Sequence, residues 1–124
     1  MRVLICIQDL KLEAQLDDSQ AASRLAAALP RTVRMSRWGD EYYGPCPLDI
    51  AEEASARELM EVGEIAYWPP GKALCFFFGP TPASTDPRPR AASPVVPLGR
   101  IIEGAEGLKK LGSAVEARIE RAEG

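Results

Sequence analysis

Apolar and polar residues alternate with a period of two along much of the chain, which is typical of half-buried β-strands. Val3, Ile5 and Ile7 alternate with other residues at the start, and residues 11–16 repeat the alternation after a short turn, so the two segments predict a β-hairpin. Further segments are also predicted to be extended: residues 32–37, 41–43, 62–68, 72–78, 95–103 and 115–120.

Two short segments have helical character instead. Residues 21–29 are rich in alanine and leucine, follow capping side chains at 17–19, and end at Pro30. Residues 104–111 predict a second short helix, and residues 52–60 are compatible with a third. Six prolines between Gly79 and Pro97 predict a long extended loop that faces solvent.

These elements together predict a mainly β protein, a closed barrel of about eight strands with two short helices. Closure is favoured because it removes exposed strand edges, and a parallel βαβ arrangement is disfavoured because helices do not alternate with strands. The length of 124 residues suits a single domain spanning residues 1–124.

Composition excludes several kinds of site. The chain has no histidine, so no Ser–His or Cys–His nucleophile and no histidine metal ligand can form within it. The three cysteines Cys6, Cys46 and Cys75 form no CxxC motif, and a four-ligand zinc site would need a carboxylate as well. We therefore expect no metal and no cofactor.

Charge and hydropathy indicate the partners and the compartment. The net charge is −3, and residues 39–66 hold eight acids against Arg57, so a basic stripe for nucleic acid is missing and we expect no nucleic-acid binding. The apolar run at residues 3–7 is too short for a signal peptide core or a membrane span, which predicts a cytoplasmic protein with reduced thiols and no membrane partner. The oligomeric state is left open.

All eight aromatic residues lie between Trp38 and Phe78. In the strand predicted at 72–78, Ala73, Cys75 and Phe77 face one side and Leu74, Phe76 and Phe78 face the other. One set fills the barrel, whereas the other is either packed under a covering segment or lines an apolar groove. In the second case Phe77 forms the groove floor beside Cys75. The predicted ligand-binding residues are Trp38, Tyr42, Tyr43, Cys75 and Phe77.

The adjacent carboxylates Asp40 and Glu41 are a weaker candidate site. Neighbours on a strand point to opposite faces, so the two are not expected to share a proton, and a solvated turn is the favoured interpretation. Cys75 has no histidine to activate it, and a buried inert thiol is favoured there. No catalytic residue is identified.

Two longer motifs resemble a known family. Residues 38–43 (WGDEYY) and 62–79 (VGEIAYWPPGKALCFFFG) resemble an uncharacterised prokaryotic family with a cyclophilin-like fold. Residues 99–111 and 75–78 are similar to segments of the cyclophilin-type peptidyl-prolyl isomerases. The resemblance implies an eight-stranded barrel capped by two helices, with Phe77 in the role of the groove phenylalanine.

The chain also departs from the cyclophilin pattern. Arg34 and Arg37 lie in the region of the catalytic arginine without its surrounding motif, and Cys75 stands where a glutamine precedes the groove phenylalanine. Turning an amide about its C–N bond needs no proton transfer, so the lack of histidine does not exclude isomerase activity. It does need a donor aimed at the prolyl nitrogen, and none is assigned.

Three hypotheses follow. The preferred one is binding of a small molecule or a proline-containing extended peptide in the aromatic groove. The alternatives are a divergent peptidyl-prolyl isomerase and a protein-interaction module that uses the acidic residues of the segment 39–66.

Overall fold

The computed structural model describes residues 1–122, which form nine strands, one α-helix and two 3₁₀ segments. The strands are β1 (Arg2–Ile7), β2 (Leu10–Leu16), β3 (Arg31–Arg37), β4 (Glu41–Pro45), β5 (Arg57–Leu59), β6 (Glu64–Trp68), β7 (Ala73–Phe77), β8 (Arg90–Ile101) and β9 (Ala114–Arg121). The α-helix α1 spans Gln20–Ala27, and the 3₁₀ segments span Pro69–Gly71 and Ala105–Lys110.

Eight of these strands close into a ring in which every pairing is antiparallel. The order is β2-β1-β9-β3-β4-β7-β6-β8, and β8 pairs back onto β2 through Ala14 with Ile101, Gln15 with Arg100, and Leu16 with Gly99. The ninth strand, β5, pairs only with β8. The predicted fold class, a closed mainly β architecture of about eight strands with two short helices, is confirmed.

The interior of the ring is filled by the alternate residues that the sequence pattern selects. Val3, Ile5 and Ile7 of β1 are fully buried, while their neighbours face outward. Helix α1 packs against this core with Leu25. It begins where predicted, because the Ser19 hydroxyl accepts the Ala22 N–H at 3.1 Å.

Two sequence predictions are wrong, one in the kind of element and the other in where the element ends. Residues 52–60 form no helix, because residues 57–59 pair with β8 as β5 and the preceding residues are irregular. The proline-rich loop ends at 89 rather than at 97, since β8 already begins at Arg90. Proline is accommodated in β8 where the pairing is irregular: Pro97 lies at the register shift between β6 and β8.

The two faces of β7 are buried in different places. Leu74, Phe76 and Phe78 belong to the ring interior. The opposite face packs into a smaller group that we call the outer cluster: Met60, Ala66, Cys75, Phe77, Ala91 and Val95, with Trp68 packed against it. Met60 and the first half of β8 thus cover the outside of β7, where both Cys75 and Phe77 are buried.

Candidate functional site

A cavity of about 260 Å³ opens beside the outer cluster, and we call it the Trp38–Trp68 cavity. It lies over the outward face of β4 and β7 and against the first half of β8. It is mostly apolar, with the carboxyl group of Glu41 and the hydroxyl groups of Tyr43 and Ser93 in its wall. Its lining consists of Trp38, Glu41, Tyr43, Trp68, Cys75, Ala91, Ala92, Ser93 and Val95.

A tight turn brings the first two lining residues together. The Trp38 N–H donates to the Glu41 carbonyl at 2.8 Å, and the Glu41 N–H donates to the Trp38 carbonyl at 3.1 Å. Gly39 occupies the first central position with φ +60°, which is the requirement of a type II′ hairpin turn. The WGDE segment therefore places Trp38 and Glu41 at the same end of the β3–β4 hairpin.

The register of β4 on β7 then sets the polar part of the wall. Glu41 pairs with Phe77 and Tyr43 pairs with Cys75, so these four side chains share the outward face. Tyr43 is 39% exposed and forms the rim. Glu41 is only 6% exposed, although its neighbours in the sequence suggest a solvated turn. For Glu41 that interpretation is wrong, because β8 covers this face.

Asp40 faces away from Glu41, as the strand geometry predicts. Its carboxylate forms an ion pair with Arg37 at 2.7 Å and lies 3.7 Å from the Lys109 ammonium group. Arg37 also donates to the carbonyls of Lys109 and Leu111, at 3.1 and 2.8 Å. Asp40 and Arg37 thus tie the hairpin to the 3₁₀ segment Ala105–Lys110 and take no part in the cavity.

Glu41 has an unusual electrostatic environment. Burial raises the pKa of its carboxyl group to about 7, and a hydrogen bond with the Cys75 thiol partly opposes that shift. Within residues 1–122, no lysine or arginine nitrogen lies within 4 Å of this carboxylate. A carboxyl of this kind changes its charge near neutral pH, and residues 1–122 supply no cation to pair with it.

Cys75 is buried, as predicted, and its thiol stays neutral. Burial is the main cause that raises the pKa of the thiol well above its usual range. The charge of Glu41 and the hydrogen bond with Glu41 raise this pKa further. The sulfur also lies 3.9 Å from the Ala73 carbonyl oxygen. Because the thiolate is the reactive form, this environment makes Cys75 an inert part of the wall.

Trp68 forms another part of the cavity wall and is fixed by two contacts. Its indole Nε1–H donates to the Ser93 hydroxyl at 2.6 Å, which links β6 to β8. Its six-membered ring lies against Gly71, where a Cβ atom would overlap the ring. The ring is therefore held in place, and its one polar hydrogen is already used.

Of the five predicted site residues, Trp38, Tyr43 and Cys75 line the cavity. Tyr42 lies in the ring interior, where its hydroxyl donates to the Gly112 carbonyl at 2.5 Å and its ring stacks on Phe78 with centroids 5.3 Å apart. Phe77 is fully buried in the outer cluster and packs behind the wall rather than facing the cavity.

The sequence reasoning did not select Glu41 or Trp68, and the period-two pattern contains a signal for both. Glu41 shares a strand face with Tyr43, and Trp68 pairs with Ala73, which shares a face with Cys75. Neither arginine of the predicted catalytic region reaches the cavity. Arg37 is bound as described above, and Arg34 is exposed and lies 3.6 Å from Glu116.

Two further features of residues 1–122 concern cofactors and membranes. No group of three or more cysteine, aspartate and glutamate side chains in this part of the chain is arranged to hold a metal ion. The helices there are too short or too polar to cross a bilayer.

Comparison with known proteins places the chain among relatives. A sequence model of the cyclophilin-like family matches residues 1–120. A hypothetical protein from Archaeoglobus fulgidus, known from its solution structure, is similar with a TM-score of 0.81 and 38% identity, over 98% of this chain and 95% of that one. No curated protein sequence matches the chain.

Proposed function

The chain belongs to the cyclophilin-like family, and from that premise we propose that it is a binding protein whose small-molecule ligand occupies the Trp38–Trp68 cavity. One observation carries the proposal. Glu41, a residue that is only 6% exposed and whose carboxyl group has no basic partner within residues 1–122, lines a mostly apolar cavity. Burying such a group is costly, and a ligand that pairs with it would offset the cost.

The composition of the wall fits this role. Binding pockets combine apolar and aromatic surface with a few placed polar groups that orient the ligand. Trp38, Tyr43 and Trp68 supply the aromatic surface, and Glu41 supplies the orienting group. The contact between Trp68 and Ser93 holds one wall in place before a ligand arrives.

Size restricts the ligand. At about 260 Å³ the cavity falls just below the lower end of the usual range for ligand pockets, about 300 Å³. It accommodates a compact molecule or a single side chain of a peptide, not several consecutive residues. We therefore favour the small molecule over the extended peptide.

The proposal is tested with a library of small polar and apolar fragments. Both tryptophans of the chain line the cavity, so intrinsic fluorescence reports on it directly. We expect some fragments to change this fluorescence saturably and to shift the indole and backbone NMR signals of Trp38 and Trp68.

A matched pair of variants serves as control. Ala92 is exposed and lines the cavity, so Ala92→Leu should fill it and abolish fragment binding. Ala54 is exposed in a turn outside the cavity, so Ala54→Leu should bind as the wild type does. Fragments that shift signals only elsewhere, or that bind Ala92→Leu unchanged, would refute the proposed function.

A divergent peptidyl-prolyl isomerase is the second candidate, and one observation favours it. Below pH 7 the Glu41 carboxyl is protonated, and a protonated carboxyl is a donor of the kind that the prolyl nitrogen requires. A protease-coupled assay on a proline peptide should then show acceleration that falls as the pH rises past 7 and loses this pH dependence in Glu41→Gln. No acceleration at high protein concentration would exclude this function.

A further inference from the structure

The wall of the Trp38–Trp68 cavity contains an acidic group but no basic group to balance it. The wall contributes one acid, Glu41, and no lysine or arginine. Two basic residues close to the lining in the sequence form ion pairs with other acids: Arg37 holds Asp40, and Arg90 lies 3.8 Å from Glu58. A ligand that carries positive charge would therefore complete the site.

The aromatic residues point to the same ligand class. Trp38, Tyr43 and Trp68 line the cavity together with the carboxyl group. Aromatic side chains attract cations through the negative potential of the ring face, and groups of them are the usual means by which proteins bind quaternary ammonium ligands. A carboxylate beside such aromatics supplies the counter-charge.

We propose that the cavity selects a small organic cation, a molecule with a methylated ammonium group that sits among Trp38, Tyr43 and Trp68 with Glu41 as its counter-ion. This inference rests on the proposed function, since it names the ligand class for the same cavity. The methyl groups would pack on apolar wall atoms, and the charge would pair with a carboxylate that has no basic partner within residues 1–122.

Glu41 is the group in the cavity wall whose charge responds to pH near neutrality. The groups that face it from each neighbouring element support this. From β7 the titratable neighbour is Cys75, whose raised pKa keeps it neutral. From its own strand it is Tyr43, a phenol. The turn contributes Trp38 and β6 contributes Trp68, and the lining residues of β8 are uncharged: Ala91, Ala92, Ser93 and Val95.

Cation binding and protonation of Glu41 are thus mutually exclusive. Because burial raises the pKa of Glu41 to about 7, the carboxylate form is a minority at pH 6 and dominates at pH 8.5. A cation should bind about tenfold more weakly at pH 6 than at pH 8.5. A neutral ligand that accepts a hydrogen bond from the acid form would show the opposite trend.

The experiment compares choline with 3,3-dimethylbutan-1-ol, in which a carbon atom replaces the nitrogen. The two molecules have the same shape and differ by one charge. Tryptophan fluorescence follows both titrations at pH 6 and pH 8.5, for the wild type, Glu41→Gln and Ala54→Leu. Glutamine is nearly isosteric with glutamate and leaves no charge to bury, and dispersed NMR spectra check that each variant is folded.

We expect choline to bind at least tenfold more tightly than the alcohol at pH 8.5. This preference should shrink both at pH 6 and in Glu41→Gln, where only the attraction of the aromatic rings remains. Ala54→Leu should retain the full preference. Equal binding of both molecules, or a preference that is undiminished in Glu41→Gln, would overturn the cation assignment and leave the proposed function intact. Binding of neither, together with failure of the fragment test, would overturn both.

Discussion

At the scale of single residues, Glu41 is the position where burial and charge conflict. It begins β4 on the face that β8 and Trp38 cover, and it is 6% exposed. An ionised carboxylate in such a place is penalised by lost hydration, so the pKa rises to about 7. A residue that costs stability at neutral pH is the kind that a functional site retains.

This conflict predicts how stability depends on pH. The pKa of Glu41 rises from 4.5 to about 7 on folding, so its contribution to stability is fully present below pH 4.5 and is lost as the pH rises through 7. The free energy of unfolding of the wild type should fall, relative to Glu41→Gln, by roughly 3 kcal/mol across this window. Urea denaturation at several pH values measures the difference, and a constant difference would contradict the assignment.

The candidate site could be predicted only in part. Strand alternation shows which side chains share a face of a strand, but it does not show which element covers that face. The pattern separates Tyr43 from Tyr42, which face opposite sides of β4, yet both carry an aromatic ring and a hydroxyl. Nothing local to the sequence says which face meets β8. The burial of Glu41 depends on contacts with residues about 50 positions away, so local reasoning placed it in solvent.

At the scale of elements, the turn from Trp38 to Glu41 and the loop at 79–89 support each other. The Asp40 N–H donates to the Pro80 carbonyl at 2.9 Å, and the Phe78 N–H donates to the Asp40 carbonyl at 2.9 Å. The loop packs so closely that a Cβ on Gly39 would lie 2.7 Å from Pro82 Cδ and 2.9 Å from Thr81 Cα. The turn that positions the cavity is thus locked by a second segment.

Gly39→Ala should destabilise the protein by about 1–3 kcal/mol, because the residue combines φ +60° with a backbone contact that cannot yield. It should also weaken fragment binding, since Trp38 and Glu41 flank the turn. Gly112→Ala is the matched control, because no atom lies within 4 Å of its added Cβ. Thermal unfolding of the two variants measures the effect, and equal stability would show that the turn tolerates a side chain.

The elements themselves could largely be predicted from the sequence, and the exceptions are β5 and the first part of β8. Strands β1, β3 and β9 follow from period-two alternation, and β7 follows from its run of apolar, β-prone residues; local sequence carries both signals. Strand β8 begins earlier than predicted because prolines at 94 and 97 argue against a regular strand. β5 is too short to show a pattern, and its pairing with β8 supplies the stability that its sequence lacks.

At the scale of the whole molecule, the contact between β2 and β8 turns a sheet into a closed ring. Three residue pairs form it, and two backbone hydrogen bonds extend it: the Asp17 N–H donates to the Leu98 carbonyl at 2.8 Å, and the Ile102 N–H donates to the Glu13 carbonyl at 2.9 Å.

Folding also pairs half of the acids in the segment 39–66 with basic residues, so the segment is less negative in the folded protein than its sequence suggests. Four of its eight acids form ion pairs: Asp40, Asp49, Glu58 and Glu64.

Gly99 is the residue on which closure depends, because it pairs with Leu16 across the contact and with Ile65 on its other side. An added Cβ would lie 2.8 Å from the Leu16 Cα atom and would press on the Gln15 carbonyl, both of them backbone. Gly99→Ala should therefore separate β2 from β8 and cost about 1–3 kcal/mol of stability.

Hydrogen exchange distinguishes this opening from general loosening. The amides of Asp17 and Ile102 should lose protection in Gly99→Ala, while that of Phe78, which follows β7 and bonds to Asp40, keeps it. Gly107→Ala is the control, since its Cβ would meet only the flexible end of Leu10, at 3.2 Å. Equal loss of protection at all three amides would mean that the ring opens as one cooperative unit and that the β2–β8 contact is not its weakest point.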